Sequence, residues 1–186
     1  MDRSINTPTL LADLGGTNVR FALADTTSTS PLMMDSVRRY RVKDFNTLAD
    51  TIRQYFADTG HTASHAIIAA AGRIANGETV QITNNPWAVS AHGLQQELRF
   101  DGVRLVNDFA AQGMSIPLLT NDQLKPVGPN LLPEHDHKSS QTFVVMGPGT
   151  GLGVAGLLLR YHRLTGRQDT PRIAVALTLR QVLDHG

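Results

Sequence analysis

The clearest pattern in the chain is a pair of apolar segments joined by a short glycine-rich connection. Residues 8–14 and 19–25 are apolar enough for two strands, and Gly-Gly-Thr-Asn at 15–18 connects them. Two such segments around a short connection containing glycine are typical of a β-hairpin. Apolar and polar residues then alternate over 35–42, which predicts a third strand.

After residue 43 the apolar spacing changes to that of a helix. One face of this predicted helix carries four apolar residues: Leu48, Ile52, Tyr55 and Phe56. Asp44 is expected to cap its start and Gly60 to end it. A second helix, which carries Leu94 and Leu98, is predicted to follow a cap at Ser90.

The remaining segments alternate between apolar spacing typical of strands and apolar spacing typical of helices. Residues 66–72 form a short apolar run, and the segment 73–83 suggests a turn that leads into another strand. The stretch GVRLVNDF predicts a strand followed by a short helix that stops near Pro117, and QTFVVMGPGTGLGVAGLLL predicts strand, glycine turn and strand. Hairpin strands followed by alternating strands and helices indicate an α/β fold with a mixed β-sheet flanked by helices.

Composition and charge exclude several classes of function. The 186 residues are 41% hydrophobic, the net charge is +1, and there is no cysteine. A balanced charge gives no reason to expect a nucleic-acid or membrane partner, and disulfides and thiolate metal sites are excluded. The first ten residues lack the apolar core of a signal peptide, and no apolar run approaches the ~20 residues of a membrane helix. We therefore expect a cytoplasmic protein.

Two glycine turns are candidate phosphate sites. The first contains Gly15, Gly16, Thr17 and Asn18; the second contains Gly149, Thr150 and Gly151. Glycine lets backbone N–H groups approach an anion closely, and threonine adds a hydroxyl donor. Asp13, just before the first turn, is a candidate ligand for Mg²⁺. Either turn alone could be an ordinary hairpin connection, and neither matches a P-loop or a Rossmann motif.

Polar residues at the end of an apolar strand are candidates for the chemistry. Asp108 could accept a proton from a substrate hydroxyl that attacks a phosphoryl group, and Asn107 could bond a neighbouring hydroxyl. Asp108 could equally cap the helix that follows. Thr83, Asn84 and Asn85, close to the only tryptophan, could line a polyol site or belong to a turn that Trp87 anchors in the core.

In this order the motifs resemble the bacterial glucokinase family, which has the ribonuclease H-like fold of the hexokinase, Hsp70 and actin ATPases. The resemblance rests on LADLGGTNVRFAL, ITNNPWAVS, VNDFAAQGMSIPLL and GPGTGLGVA, within residues 8–156. It implies that both glycine turns grip ATP, that the residue matching Asp108 is the catalytic base, and that the one matching Asn107 contacts glucose. It also implies that Asp13 lies near the Mg²⁺–phosphate group.

The last thirty residues depart from the family. Residues 157–186 contain five arginines, two aspartates and no lysine, and the family's Gly-Glu-Gly-Gly-His-like segment is missing. The sequence therefore predicts a glucokinase-like lobe at 1–156 and an atypical tail at 157–186, ending in a helix from residue 178. An early stop or a frameshift would explain such a tail.

These departures leave three functions open. The first is an ATP-dependent glucose kinase, with weak or absent turnover in this chain. The second is a non-catalytic remnant that binds sugar or nucleotide, and the third is a related acetate-kinase or ATPase-type domain, against which the TNNPW and NDF motifs argue. A missing lobe would expose an apolar face, so a homodimer is also open.

Overall fold

The computed structural model describes residues 7–28, 30–82, 85–128, 140–148, 152–161 and 171–177. The chain divides into two units, one that ends at Asp108 and one that begins at Phe109. Strands in the first unit are β1 (Thr9–Leu14), β2 (Asn18–Ala24), β3 (Leu32–Arg41), β4 (His65–Ala70), β5 (Ile74–Ala75), β6 (Thr79–Gln81), β7 (Ala88–Ser90) and β8 (Gly102–Asn107). Its helices are α1 (Leu48–Thr59) and α2 (Ala91–Leu98).

The first unit is built on a five-stranded mixed sheet with the order β3-β2-β1-β4-β8. β1 and β2 form an antiparallel hairpin in which Leu14 pairs with Val19, and β3 extends it as an antiparallel edge strand. β4 and β8 run parallel to β1. The mixed sheet with flanking helices confirms the fold class expected from the sequence.

The core lies on one face of this sheet because apolar residues alternate along its strands. In β1, Leu10 and Leu14 are buried, whereas Asp13 lies on the exposed face. The helix α1 adds Tyr55, whose ring centroid lies 5.2 Å from that of Phe21. The Tyr55 hydroxyl donates to the carbonyl oxygen of Ser36 at 3.0 Å, so its polar end is satisfied inside the core.

The helix ends largely follow the sequence, with one correction. Thr47, not Asp44, caps α1, and its hydroxyl accepts from the Asp50 N–H at 3.0 Å. Asp44 instead ends a short 3₁₀ turn, after which the backbone becomes extended at Phe45, so it lies too early to reach the first helical N–H groups. Gly60 ends α1 at φ 69°, as expected.

Ser90 caps α2, as the sequence predicted. Its hydroxyl accepts a hydrogen bond from the Gly93 N–H at 3.1 Å. A small antiparallel sheet, β5-β6-β7, precedes this helix. Its first turn contains Asn76 and Gly77 at φ 52° and 73°, the left-handed conformations that suit this residue pair in a tight hairpin.

Helix α3 spans Asp108–Ser115, and all of it after its first residue belongs to the second unit, together with the strands β9 (Gln141–Pro148), β10 (Leu152–Tyr161) and β11 (Pro171–Leu177). The three strands form an antiparallel sheet with the order β11-β10-β9. The strands on both sides of the second glycine turn are confirmed. β10 continues through residue 156, where the sequence suggested a boundary, and the division there stays a prediction.

β11 was not predicted, although Ile173, Val175 and Leu177 alternate with other residues as in a strand. The predicted C-terminal helix lies outside the described residues. Among the helices that the structure describes, none has the length and apolar character needed to cross a membrane.

Candidate active site

The carboxyl ends of three parallel strands bring the first glycine turn, Asn107 and Asp108 to one edge of the sheet in the first unit. Leu14 pairs with Ala70, and Ala70 pairs with Asn107, so β1, β4 and β8 end level with one another. The first glycine turn begins directly after Leu14, and Asp108 follows Asn107. β1 and β8 are two strand spacings apart, or about 10 Å.

The first glycine turn borders a cavity of about 270 Å³. Its lining consists of Asp13, Gly15, Gly16, Thr17, Asn18, Arg20 and Arg39. All five predicted donor-binding residues of the first turn therefore lie around one cavity, together with two arginines that the sequence analysis did not select.

Positive charge exceeds negative charge at this cavity. Arg20 and Arg39 lie directly opposite each other on neighbouring strands, an arrangement that is unfavourable for two like charges. Asp13 pairs with Arg20 at 3.4 Å, but their side chains are 61% and 60% exposed, so this ion pair contributes little. The cavity therefore favours an anion.

Hydrogen bonds from several elements fix the first turn. The Gly15 N–H donates to the Asn18 carbonyl at 3.0 Å, and the Val42 N–H donates to the Thr17 carbonyl at 3.0 Å. The Asn18 Oδ1 accepts from the Arg39 Nε at 3.2 Å. The turn is thus tied both to itself and to the end of β3.

The carbonyl of Gly15 has a further, side-chain partner. Asn85, which is only 7% exposed, donates its Nδ2 to this oxygen at 3.3 Å. The Oδ1 of the same amide accepts from the Trp87 N–H at 2.8 Å. The sequence placed Asn85 in a polar cluster beside the tryptophan but did not indicate that it contacts the first turn, because seventy residues separate the two.

Asn107 and Asp108 stand at the end of β8. Asn107 is buried, and its Nδ2 donates to the Gly72 carbonyl at 3.2 Å. Gly72 itself lies against another backbone, because a Cβ there would come within 2.6 Å of the Gln81 carbonyl oxygen. Asp108 is the half-buried first residue of α3. Their roles toward a sugar, and the capping alternative for Asp108, stay open.

Several predicted site residues lie outside the described residues. These are Thr83 and Asn84 of the predicted sugar segment, and Gly149, Thr150 and Gly151 of the second turn. In the described part of the chain, no group of three or more histidine or acidic side chains is placed to hold a metal ion.

The strands beside the second turn pack on an aromatic ring within the second unit. Gly147 and Gly153 are cross-strand partners in β9 and β10. A Cβ at Gly147 would lie 2.9 Å from the Phe109 ring, and a Cβ at Gly153 would overlap that ring. These two glycines therefore provide the space that Phe109 occupies.

Comparison with known proteins identifies the family. The Glucokinase family model matches residues 10–168. The chain belongs to the glucokinase family. A glucokinase of Stenotrophomonas maltophilia is 46% identical over 156 residues, and one of Xanthomonas oryzae pv. oryzae is 42% identical over the same length. Each alignment covers 84% of this chain and 46% of the relative, so the chain spans about half the length of these curated relatives.

Solved structures agree with the fold. A glucokinase from an Antarctic psychrotroph superposes with a TM-score of 0.70 at 30% identity, over 92% of this chain and 49% of that one. A ROK-family glucokinase from Streptomyces griseus, solved with glucose and AMPPNP, has a TM-score of 0.51 at 21% identity, over 91% of this chain and 48% of that one. The second likeness supports the fold alone. The resemblance inferred from the motifs is confirmed.

Proposed function

We propose that this chain supplies the phosphate-binding and base-bearing part of an ATP-dependent glucokinase. The observation that carries the proposal is the common edge of β1, β4 and β8, which holds the first glycine turn and Asp108 about two strand spacings apart. A phosphoryl donor at the turn and a sugar hydroxyl at Asp108 would fit in that interval. Membership of the glucokinase family favours glucose as the acceptor.

In the proposed reaction Asp108 is the general base. Its carboxylate takes the proton of the sugar's 6-hydroxyl while that oxygen forms a bond to the γ-phosphorus of ATP. The bond from the γ-phosphorus to the bridging oxygen breaks, and ADP leaves. The N–H groups of the first turn and the two cavity arginines stabilise the charge on the phosphates.

The carboxylate of Asp13, beside the first turn, also suits a magnesium-bound nucleotide. Mg²⁺ in such sites takes one or two carboxylates and completes its shell with phosphate oxygens and water. Asp13 is one exposed carboxylate beside the turn, which matches a metal that arrives with the nucleotide. Asp13 would hold this ion, which would supply positive charge to the phosphates.

Residues of the other motifs complete the proposed site. Gly149, Thr150 and Gly151 would bind the nucleotide as a second phosphate turn, and Thr83, Asn84 and Asn107 would bind the sugar. A cytoplasmic location and a homodimer stay predictions from the sequence.

The matched share of the relatives favours a second candidate function. The chain aligns with 46% of each glucokinase described above, so residues that the remainder contributes are not supplied by these 186. A chain limited to this part would bind glucose or nucleotide without turning them over. The extent of turnover distinguishes the two candidates.

A coupled assay for glucose 6-phosphate tests the proposal. Asp108→Asn should lower any turnover at least a hundredfold, because loss of a general base typically costs 10²–10⁴ in rate. Asp101→Asn is the matched control, because Asp101 precedes β8 at the opposite end of the same strand. Turnover that survives in Asp108→Asn contradicts the proposed base. No turnover, with Mg·ATP still raising the melting temperature, supports the binding module.

A further inference from the structure

Asn85 has a bonding pattern that fixes the orientation of its side-chain amide. A carbonyl oxygen can only accept and a backbone N–H can only donate. The amide meets one of each: the Gly15 carbonyl at 3.3 Å and the Trp87 N–H at 2.8 Å. Its Nδ2 must therefore face Gly15 and its Oδ1 must face Trp87.

The bond to Gly15 constrains more than one oxygen. A trans peptide unit is planar, and its C=O and N–H point in opposite directions. The carbonyl of Gly15 and the N–H of Gly16 belong to the same peptide unit. Because Asn85 holds the carbonyl on one side of the turn, the Gly16 N–H must point to the other side.

This peptide unit is unusually free to rotate without such a bond. It lies between two glycines, which have no Cβ to oppose the coupled change of ψ at Gly15 and φ at Gly16. Rotation by half a turn would replace the Gly16 N–H with the carbonyl oxygen of Gly15. A carbonyl oxygen repels phosphate, so such a rotation would replace a hydrogen-bond donor to the phosphate with a repulsive group.

We propose that Asn85 is a positioning residue that locks the Gly15–Gly16 peptide with its N–H available to a phosphate group. The fixed orientation of this peptide is a property of the protein without ligand, but its role in catalysis rests on the proposed phosphate site. Asn85 does not touch the reacting atoms; it acts through the backbone of the turn. The ligand class is the phosphate chain of a nucleotide.

The test uses the whole chain labelled with ¹⁵N at glycine only. Its 16 glycines give a simple spectrum, and the Gly16 signal is assigned by its disappearance in Gly16→Ala. Asn85→Asp removes the donor to Gly15 but keeps the acceptor for Trp87. Gln81→Ala is the matched control, since Gln81 bonds the carbonyls of Asn85 and Trp87 at 3.4 and 3.5 Å without reaching Gly15.

The first readout needs no ligand. In the wild type and in Gln81→Ala, the Gly16 amide should show no microsecond-to-millisecond exchange in relaxation-dispersion experiments. In Asn85→Asp the freed peptide should exchange on that timescale. Should Asn85→Asp lack a folded glycine spectrum, Asn85→Ser replaces it, because serine retains a short acceptor for Trp87. An unchanged, exchange-free Gly16 signal in the folded variant overturns the lock.

The second readout separates the lock from the proposed function. Mg·ATP should shift the Gly16 signal in the wild type, and Asn85→Asp should bind it about tenfold more weakly, the scale of one hydrogen bond to a charged group. Exchange in Asn85→Asp without any nucleotide shift in the wild type would support the lock and contradict the phosphate site. Equal Mg·ATP affinity in the two proteins would overturn the role of the lock in binding.

Discussion

The two glycine-rich hairpins of this chain share a sequence pattern but keep their glycines for different physical reasons. In the first hairpin, a Cβ at Gly15 would lie 3.5 Å from the nearest atom, the Asn18 carbonyl oxygen, which is an ordinary contact. In the second, a Cβ at Gly153 would overlap the Phe109 ring. Protein packing therefore excludes a side chain at the second position but not at the first.

The two hairpins also differ in their surroundings, because the first lies inside a sheet and the second includes an edge strand. β1 and β2 lie inside a five-stranded sheet, and their turn accepts hydrogen bonds from Arg39, Val42 and Asn85. β9 is an edge strand, and Val144 and Met146 on it are 64% and 62% exposed. The reason for a glycine in a hairpin therefore becomes clear only when the space around that glycine is known.

The largest effect is expected where packing is tightest. Gly153→Ala should destabilise the protein by about 3 kcal/mol, because the new methyl group must displace the Phe109 ring. Urea unfolding of the wild type and the variant measures this. Gly113→Ala is the control, since its Cβ would lie 3.9 Å from Ala155 and alanine favours the helix. Equal stability of the two variants would contradict the packing argument.

A smaller effect is expected at the shared strand edge. Asn107→Ala removes the donor to the Gly72 carbonyl and should cost about 1 kcal/mol, the typical net contribution of one hydrogen bond, here a part-buried one. Thermal unfolding measures the loss, and glucose titration of the folded variant shows whether Asn107 also contacts the sugar. A variant as stable as the wild type would show that the bond to Gly72 contributes nothing.

Gly15→Ala should affect stability far less than Gly153→Ala does and should weaken binding instead. The methyl group fits against Asn18, so the change in unfolding free energy should stay below about 1 kcal/mol. Gly15 lines the cavity, so the methyl group should hinder the approach of phosphate and weaken Mg·ATP binding several-fold. Calorimetry measures the affinity for Mg·ATP, and thermal unfolding measures the stability. A large loss of stability would make the two hairpins alike.

The smallest effect concerns the bond that ties β3 to α1 beside the first hairpin. Tyr40 donates its hydroxyl to Asp58 at 2.7 Å, and this bond, followed by one from Gln54, lowers the pKa of the Asp58 carboxyl. A lowered folded-state pKa stabilises the protein above the unfolded pKa, and the benefit is lost as pH falls through the folded value.

Tyr40→Phe should therefore raise the pKa of Asp58 toward its ordinary value. Carboxyl NMR titration measures the shift directly. The stability advantage of the wild type over the variant should be present at neutral pH and disappear in acid. An Asp58 titration that does not change would show that the Tyr40 bond does not lower its pKa.

Much of the fold follows from local patterns. The alternation in β1 and β2, the period of α1 and the caps at Gly60 and Ser90 were all readable, because each depends on residues close in sequence. The prediction that Asp44 caps α1 was wrong. Asp44 and Thr47 are both residue types that cap helices, and only the path of the backbone decides between them.

The candidate site was less predictable than the fold. The motifs indicated Asp13, the first turn and Asp108. Asn85 and Arg39, however, donate hydrogen bonds to the turn from distant parts of the chain. Only the register of the sheet shows that the turn and Asp108 share an edge. Such contacts depend on tertiary structure, which a single sequence does not display.

The central claim is that a nucleotide binds at the edge where β1, β4 and β8 end. Mn²⁺ in place of Mg²⁺ broadens NMR signals close to a bound Mn·ATP, and the glycine-labelled chain offers reporters at both edges of the sheet. Gly15, Gly16 and Gly72 should broaden strongly, whereas Gly102, at the start of β8 and about 17–20 Å away along the strand, should broaden far less. Broadening of Gly102 without Gly15 and Gly16, or no selective broadening at all, would contradict the account.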